Sequence, residues 1–476
     1  MKTKFNTLWL VLLLPSLLGG QQPLTEVQIR EDFEVLKNVL VKGHPALYEY
    51  TSRSEWDSLF ANFAAEKVRT LKTDRDLYRA LIQLTDRVRD GHLIVMRPRL
   101  DSIPPLFPLL LKIIHGHCYT DTDDFGIPVG SEILTIDGIE WTTLRERLLP
   151  YAPSDGFNTS KKDRQMEREF GILHFYEFGA QAGYRVSYRS PSNRIEERYI
   201  DSQSFESIGK RFAQRNSNFG RTTLGKQAPD CYFIDSLRTA VLTLNTFNGE
   251  VEKFQSALGA IFKDIRRKKA KHLIIDIRQN EGGYPLNAIH AFSYLASKPF
   301  KQRRSSEVST ATLPEEDHGQ NLVNGYTYET FFKTFYESAE KQGERWLLQE
   351  DTNEARMVPN KKRYGGKVYV LIGGKTFSAG ASFALFCKNA GIPLIGEETG
   401  GGYYTQTGGY PILYTLPHSA IKILVSLVKI NRFVEDTSPE RGRGILPDQA
   451  VPLTVADLIA GKDSQLDYVL KQIKNQ

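Results

Sequence analysis

Cysteine is scarce and scattered in this chain. Only Cys118, Cys231 and Cys387 occur in 476 residues. They lie too far apart for a disulfide framework or a metal-ligand cluster. The nine histidines include no HExxH pair, which excludes a zinc-peptidase helix; no metal and no cofactor are expected. Long apolar runs are missing after the first twenty residues, so no later segment is able to span a bilayer. A broad basic face is missing too. The formal charge of +6 is modest for this length, and the one dense run, Arg266 to His272, fits a solvated helix end before a strand. Nucleic acid is therefore not an expected partner. There is no internal repeat.

What remains is an ordinary globular composition, 40% hydrophobic and 25% charged, long enough for two or three domains. At the N-terminus Lys2 and Lys4 precede an apolar stretch from Leu8 to Leu18 and then Gly19-Gly20-Gln21. That is the order of a secretory signal. Cleavage near Gly20 and export to the periplasm or the extracellular space are expected. No cysteine follows to carry a lipid.

Residues 24–98 are expected to be helical. Leu36, Val39, Leu40 and Leu47 have helical spacing, as do Trp56, Leu59, Phe60 and Phe63, and Leu77, Leu81, Leu84 and Val88 share one face. That third segment runs into Arg89-Asp90-Gly91-His92, where Asp-Gly signals a turn. His92 thus sits just past a helix end, where a lone histidine is ordinarily surface decoration. From Ser102 to Leu149 short strands and turns take over, with an Asp-Gly hairpin signal in Ile127–Ile139 and a short helix from Leu144. Residues 150–230 are polar, with alternating Tyr184, Val186 and Tyr188, and suggest strands and connections.

From residue 231 onward strand and helix alternate, which points to an α/β core. Strands are expected at Leu237–Leu244, Leu273–Ile277, Val368–Ile372 and Pro393–Ile395, with helices at Val251–Lys268, Pro285–Leu295 and Ala379–Ala390. Residues 298–362 form a polar insertion carrying an aromatic patch (Tyr326, Tyr328, Phe331, Phe332, Phe335, Tyr336), expected to be a helix packed on the core. A glycine-rich loop follows at 397–409, then two strands and a closing helix.

Two strand-to-helix turns carry chemistry. Asn280-Glu-Gly-Gly283 leaves one strand, and its glycines allow backbone N–H groups to approach a ligand oxygen. Ser378 leaves the other, at the positive end of a helix. Taken alone, Ser378 reads first as only a helix N-cap. If the two strands are parallel neighbours, both turns open at one sheet edge. A serine nucleophile needs a base. Lys375, Glu397, Glu398 and the remote His92 are the candidates.

Four segments together resemble the C-terminal processing, or tail-specific, serine peptidase family, related to the tricorn core protease and to interphotoreceptor retinoid-binding repeats. Asp276-Ile-Arg-Gln-Asn-Glu-Gly-Gly283 resembles its D-x-R-x-N-x-G-G turn. Thr376-Phe-Ser378-Ala-Gly380 resembles its T-x-S-A-G turn. Gly442-Arg-Gly-Ile-Leu-Pro-Asp448 resembles its G-x-G-I-x-P-D segment, and Asp90-Gly91-His92 its D-G-H. The likeness covers most of residues 25–476. It implies a ClpP/crotonase-like spiral core at 231–476, interrupted by the 298–362 insertion. Before it would come a helical segment at 21–98, a small degenerate PDZ-like β module at 99–150 and a connecting β or irregular segment at 151–230.

The resemblance also implies site residues. Bacterial tail-specific members use a lysine about twenty-five residues after the serine, but the loop Thr399–Gly408 has none. Tricorn-like members use a histidine from the D-G-H region and an acid near the P-D motif, although the serine found beside that histidine is absent here. Ser378 is then the expected nucleophile and His92 the general base. Glu440 is the expected acid, with Asp436 as its rival. Backbone N–H groups of Gly282 or Gly283 and of Ala379 would hold the oxyanion, and Gly400, Gly401 and Tyr403 would contact substrate. Asp276 and Arg278 would pair to hold the glycine turn, Glu397 and Glu398 would shape the loop or contact substrate rather than transfer protons, and Lys375 would point to solvent. The expected activity is hydrolysis of a peptide or protein. The competing expectation is a non-catalytic binding protein on the same fold, as in the retinoid-binding relatives. An acyl-CoA enzyme of the crotonase type fits poorly with a secretory signal.

Overall fold

The computed structural model describes residues 22–218, 228–321, 327, 329–331, 333, 339–351 and 353–476. The apolar leader lies outside the described residues, as does all of the 326–336 aromatic patch except Phe331. Two compact units divide the chain, and neither is continuous.

The first unit joins residues up to Ile103 with Arg303–Glu350 and Thr405–Asn431. Its helices start where the sequence supplies caps. Thr25 and Gln28 form a capping box for Glu26–Gly43, Ser52 and Glu55 do so for Arg53–Asn62, and Thr73 caps Asp74–Thr85. Phe33 stacks on Phe63 with ring centroids 4.4 Å apart. The buried Asp32 carboxylate accepts the N–H groups of His418 and Ser419, both at 2.8 Å. Ile94–Val95 pairs with Lys422–Ser426, which pairs with Pro411–Thr415 and then Gly319–Asn321, all antiparallel. A second sheet joins Glu340–Gln342, Arg345–Leu348, Arg303–Val308, Lys429–Arg432 and Thr405–Thr407. Much of the expected insertion therefore folds with the N-terminal helices. Strand pairing set by distant partners redraws the boundary that polarity alone suggested.

The second unit holds the α/β core. Its main sheet runs Gln449–Ala450, Leu394–Gly396, Lys367–Ile372, His272–Asp276, Thr239–Thr243 and Asp230–Ile234. All its pairings are parallel except the last. Side chains alternate across it as the two-residue period of a strand demands. Leu273, Ile275, Val370 and Ile372 share one core with Phe254, Leu258 and Phe262 of the helix Val251–Arg267, with Phe292 of Pro285–Ser293 and with Phe383 of Ala379–Asn389. Ile274, Leu371 and Ile395 meet Val469 and Ile473 of Ser464–Lys474 on the other face. These runs are apolar on both sides because helices cover both.

The same unit contains an antiparallel sheet of Leu111–Ile114, His117–Thr120, Glu132–Ile136, Gly183–Arg189 and Ile195–Asp201. The 183–201 hairpin completes the sheet begun at 111, so a boundary at residue 150 would cut through it. Between them runs a 19-residue helix, Ser160–Phe178, where strands and connections were expected. Met166, Phe170 and Leu173 are among its buried apolar positions, and their helical spacing was the available signal. Among the described residues no helix is long and apolar enough to cross a membrane.

Phe262 is 1% exposed and its ring stacks on Tyr294 at 4.1 Å. Phe262→Ala is expected to cost about 3–5 kcal/mol, read as a lower denaturant midpoint for the unfolding step of this unit. A loss under about 1 kcal/mol would show that the core yields there as few buried cores do.

Candidate active site

Asp276 lies opposite Leu371 in the parallel pairing of His272–Asp276 with Lys367–Ile372. The turns that follow these strands therefore leave the sheet side by side. Hydrogen bonds knit one to the other. Thr376 Oγ1 donates to Ile277 O at 2.9 Å and accepts from Gly373 N–H at 3.1 Å, while Phe377 N–H donates to Asn280 O at 2.9 Å.

Ser378 comes next with φ 52° and ψ −122°, a left-handed conformation that costs a residue with a side chain on the order of 1–3 kcal/mol. It stands at the N-cap position of Ala379–Asn389, yet its side chain makes no capping hydrogen bond. The hydroxyl is thus not engaged as a cap would be. Gly380 and Ala381 N–H donate to Phe377 O at 2.8 and 3.3 Å, and Ser382 N–H to Ser378 O at 3.0 Å. Ala379 N–H is the group of the first turn that these bonds leave over, at the positive end of the helix.

The glycines here are needed for close approach. A Cβ on Gly282, whose φ is 108°, would lie 2.6 Å from Ser378 Cβ, and one on Gly380 would lie 2.3 Å from Asn280 O. Asn280 is completely buried; it donates to Leu244 O at 2.8 Å and its Oδ1 accepts Gly282 N–H at 2.9 Å. Gly282 gives shape beside the serine and its N–H is committed to Asn280, which leaves Gly283 as the one of the two glycines whose N–H is not spent on that bond. Asp276 and Arg278 do pair, at 2.6 Å, and Arg278 also binds Asp463 at 2.8 Å, which ties the glycine turn to the closing helix. Those two carboxylates push the guanidinium's pKa up against the opposing effect of burial.

Lys375 does not point to solvent. Its side chain is 14% exposed and pairs with Glu281 at 3.2 Å. Burial lowers its pKa and Glu281 partly offsets that. The lysine thus links the two turns.

The loop 398–403 is a support. Glu398 accepts both arms of Arg443, at 2.9 and 2.6 Å, and Gly444 N–H at 2.7 Å. Gly401 N–H reaches Thr376 O at 3.3 Å. Tyr403 is 1% exposed and donates to Asp436 O at 2.9 Å; burial pushes its hydroxyl up to about 12. Gly400, Gly401 and Tyr403, the residues expected to contact substrate, are all buried.

A neighbouring segment escaped sequence reasoning. Ser154, Asp155, Asn158 and Lys161 are each under 10% exposed. Asp155 accepts Gly402 N–H at 3.0 Å and its own N–H donates to Gly400 O at 3.3 Å. Phe157 N–H donates to Gly442 O at 2.7 Å. A Cβ on Gly374 would lie 2.4 Å from Ser160 O. The start of Ser160–Phe178 thus lies directly against the serine turn and its loop.

His92 belongs to the first unit. Its N–H donates to Asp90 Oδ1 at 2.8 Å, and its Nδ1 lies 3.9 Å from the same oxygen. Asp90 is buried, bonded to His44 Nε2 at 2.8 Å and to Thr407 Oγ1 at 2.8 Å. Burial would raise the Asp90 pKa, but the His44 bond, with the His44 and His92 charges, outweighs it and holds the carboxyl low. Glu440 and Asp436, in the second unit, are exposed. Asp436 accepts Ser438 N–H at 2.8 Å.

Residues 238–451 match the family model described as peptidase family S41. Among solved structures, mature CPAF complexed with lactacystin is 16% identical with a TM-score of 0.64, over 94% of this chain and 98% of that one. Mature CPAF is 16% identical with a TM-score of 0.60, over 95% and 98%. At this identity the likeness is one of fold. No curated protein sequence matches the chain.

Gly282→Ala puts a methyl group against Ser378 Cβ at a positive φ. It is expected to destabilise the second unit by about 1–3 kcal/mol and to shift Ser378. A melting temperature equal to wild type, with Ser378 unmoved in a crystal structure, would contradict this.

Proposed function

We propose, on the match of residues 238–451 to the model of peptidase family S41, that the protein is an exported serine endopeptidase that cleaves peptides or proteins through an acyl-enzyme. The observation that carries the reading is Ser378: a strained residue at a strand-to-helix turn, packed on a glycine turn from the adjacent parallel strand.

In this reading His92 takes the Ser378 Oγ proton as Oγ attacks the scissile carbonyl carbon. The carbonyl π electrons move to oxygen, and the N–H groups of Gly283 and Ala379 stabilise that oxyanion. Collapse expels the amine, which leaves with the proton from His92. Water, deprotonated by the same histidine, then releases the acid and regenerates Ser378. Asp90 takes the acid's part better than Glu440 does. It is buried in the turn that carries His92 and fixes that turn by accepting its N–H. Its negative charge beside the ring favours the imidazolium formed in each transfer. Glu440 is exposed, where solvent screens its charge. The basic, apolar and small-residue order of the first 21 residues supports export.

The test is labelling by a fluorophosphonate probe together with peptide hydrolysis. Wild type should label and Ser378→Ala should not. His92→Ala and Asp90→Asn should slow both reactions by about 10²–10⁴-fold, whereas Glu440→Gln should change them less than about threefold, as an exposed charge does. Labelling that survives Ser378→Ala overturns the reading. Silence in wild type would favour a binding protein on the same fold.

A further inference from the structure

Lys161 is 8% exposed, a rare condition for a lysine. Its Nζ donates to Pro153 O at 2.5 Å and lies 4.8 Å from the centre of the Phe377 ring, within cation–π range. Its stem fills the space that Gly400 leaves: a Cβ there would lie 2.6 Å from Lys161 Cβ and 2.7 Å from Cδ. The lysine therefore touches three things at once: the 153–158 segment, the glycine loop and the residue immediately before Ser378.

We propose that Lys161 is a positioning residue for Ser378, its buried ammonium clamping Phe377 against the Pro153 carbonyl. The inference rests on Ser378 being the nucleophile. A left-handed φ at a non-glycine residue survives only when its surroundings over-determine it. Phe377 is held through its N–H by Asn280 O on one side and through its ring by Lys161 on the other. Loss of the second hold lets the peptide before Ser378 turn, and the hydroxyl leaves its attacking position.

The clamp needs the charged form, because a neutral amine has no cation–π attraction and is a weaker donor. Burial lowers the Lys161 pKa to about 8; Glu281 and Asp155 pull it upward, Lys162 pulls it down and Glu169 pulls it up. Glu281 faces it from the glycine turn, Asp155 from the preceding segment, and Lys162 and Glu169 from its own helix. As pH rises through that value the ammonium is lost, so acylation should slow on the alkaline side.

The experiment measures fluorophosphonate labelling rate and peptide kcat and KM from pH 6 to 10 for wild type, Lys161→Met and Lys161→Arg. Methionine keeps the stem and removes the charge; arginine keeps the charge at every pH used. Lys161→Met is expected to lose about 10–100-fold in labelling rate and kcat, with KM changed less. The wild-type alkaline limb near pH 8 should be absent from both variants, and Lys161→Arg should retain more activity than Lys161→Met at neutral pH. A labelled wild type with an unchanged rate in Lys161→Met, or with the same limb in either variant, overturns the inference and leaves the peptidase reading standing. A wild type that never labels overturns both. If Lys161→Met does not fold, the presence or loss of the limb in Lys161→Arg decides.

Discussion

Hydrogen bonds from Thr376 and Phe377 to the neighbouring turn hold Ser378 at a φ of 52°, and the rest of the second unit is arranged so that this holds. The parallel register of His272–Asp276 with Lys367–Ile372 brings the two turns together. Asn280 then spends its side chain on shaping one of them, and Gly282 and Gly380 give up their side chains so that the turns touch. Each contribution is small, but all of them act on the same two touching turns.

Charge performs the same task one layer out. Arg278 joins Asp276 to Asp463, Arg443 joins Glu398 to the Gly442–Ile445 segment, and Lys375 joins Glu281 to the serine turn. Partly buried ion pairs of this kind are weak sources of stability, since desolvation offsets much of their attraction. Their value here is geometric. Breaking one leaves an unsatisfied charge near the site, so each turn has one low-energy arrangement. In the first unit the Asp90 carboxylate plays the comparable part, gathering His44, Thr407 and the His92 backbone around one buried charge.

The core sheet was legible from periodicity alone. Apolar runs such as Leu273–Ile277 and Val368–Ile372 are strands wherever helices cover both faces. The 153–164 stretch carries the opposite signal. Ser154, Asp155, Asn158 and Lys161 are residue types that solvent usually claims, and their burial follows from backbone groups of distant loops that need donors and acceptors. No local pattern announces such a requirement. The burial of Gly400, Gly401 and Tyr403 was hidden for a related reason: a glycine-rich loop suits substrate approach and tight packing equally well.

The sequence by itself determined that Ser378 and the Gly282–Gly283 pair each follow a buried strand and open a helix or turn, because apolar runs, glycine breaks and helix caps are local physics. It also determined that no lysine stands in the Thr399–Gly408 loop. Only the tertiary structure decided which N–H groups near Ser378 are already committed, that Lys375 faces Glu281, and that Lys161 packs against Phe377. Those facts depend on contacts between residues tens to hundreds of positions apart, and the pairing of distant polar groups leaves no period in the chain to read.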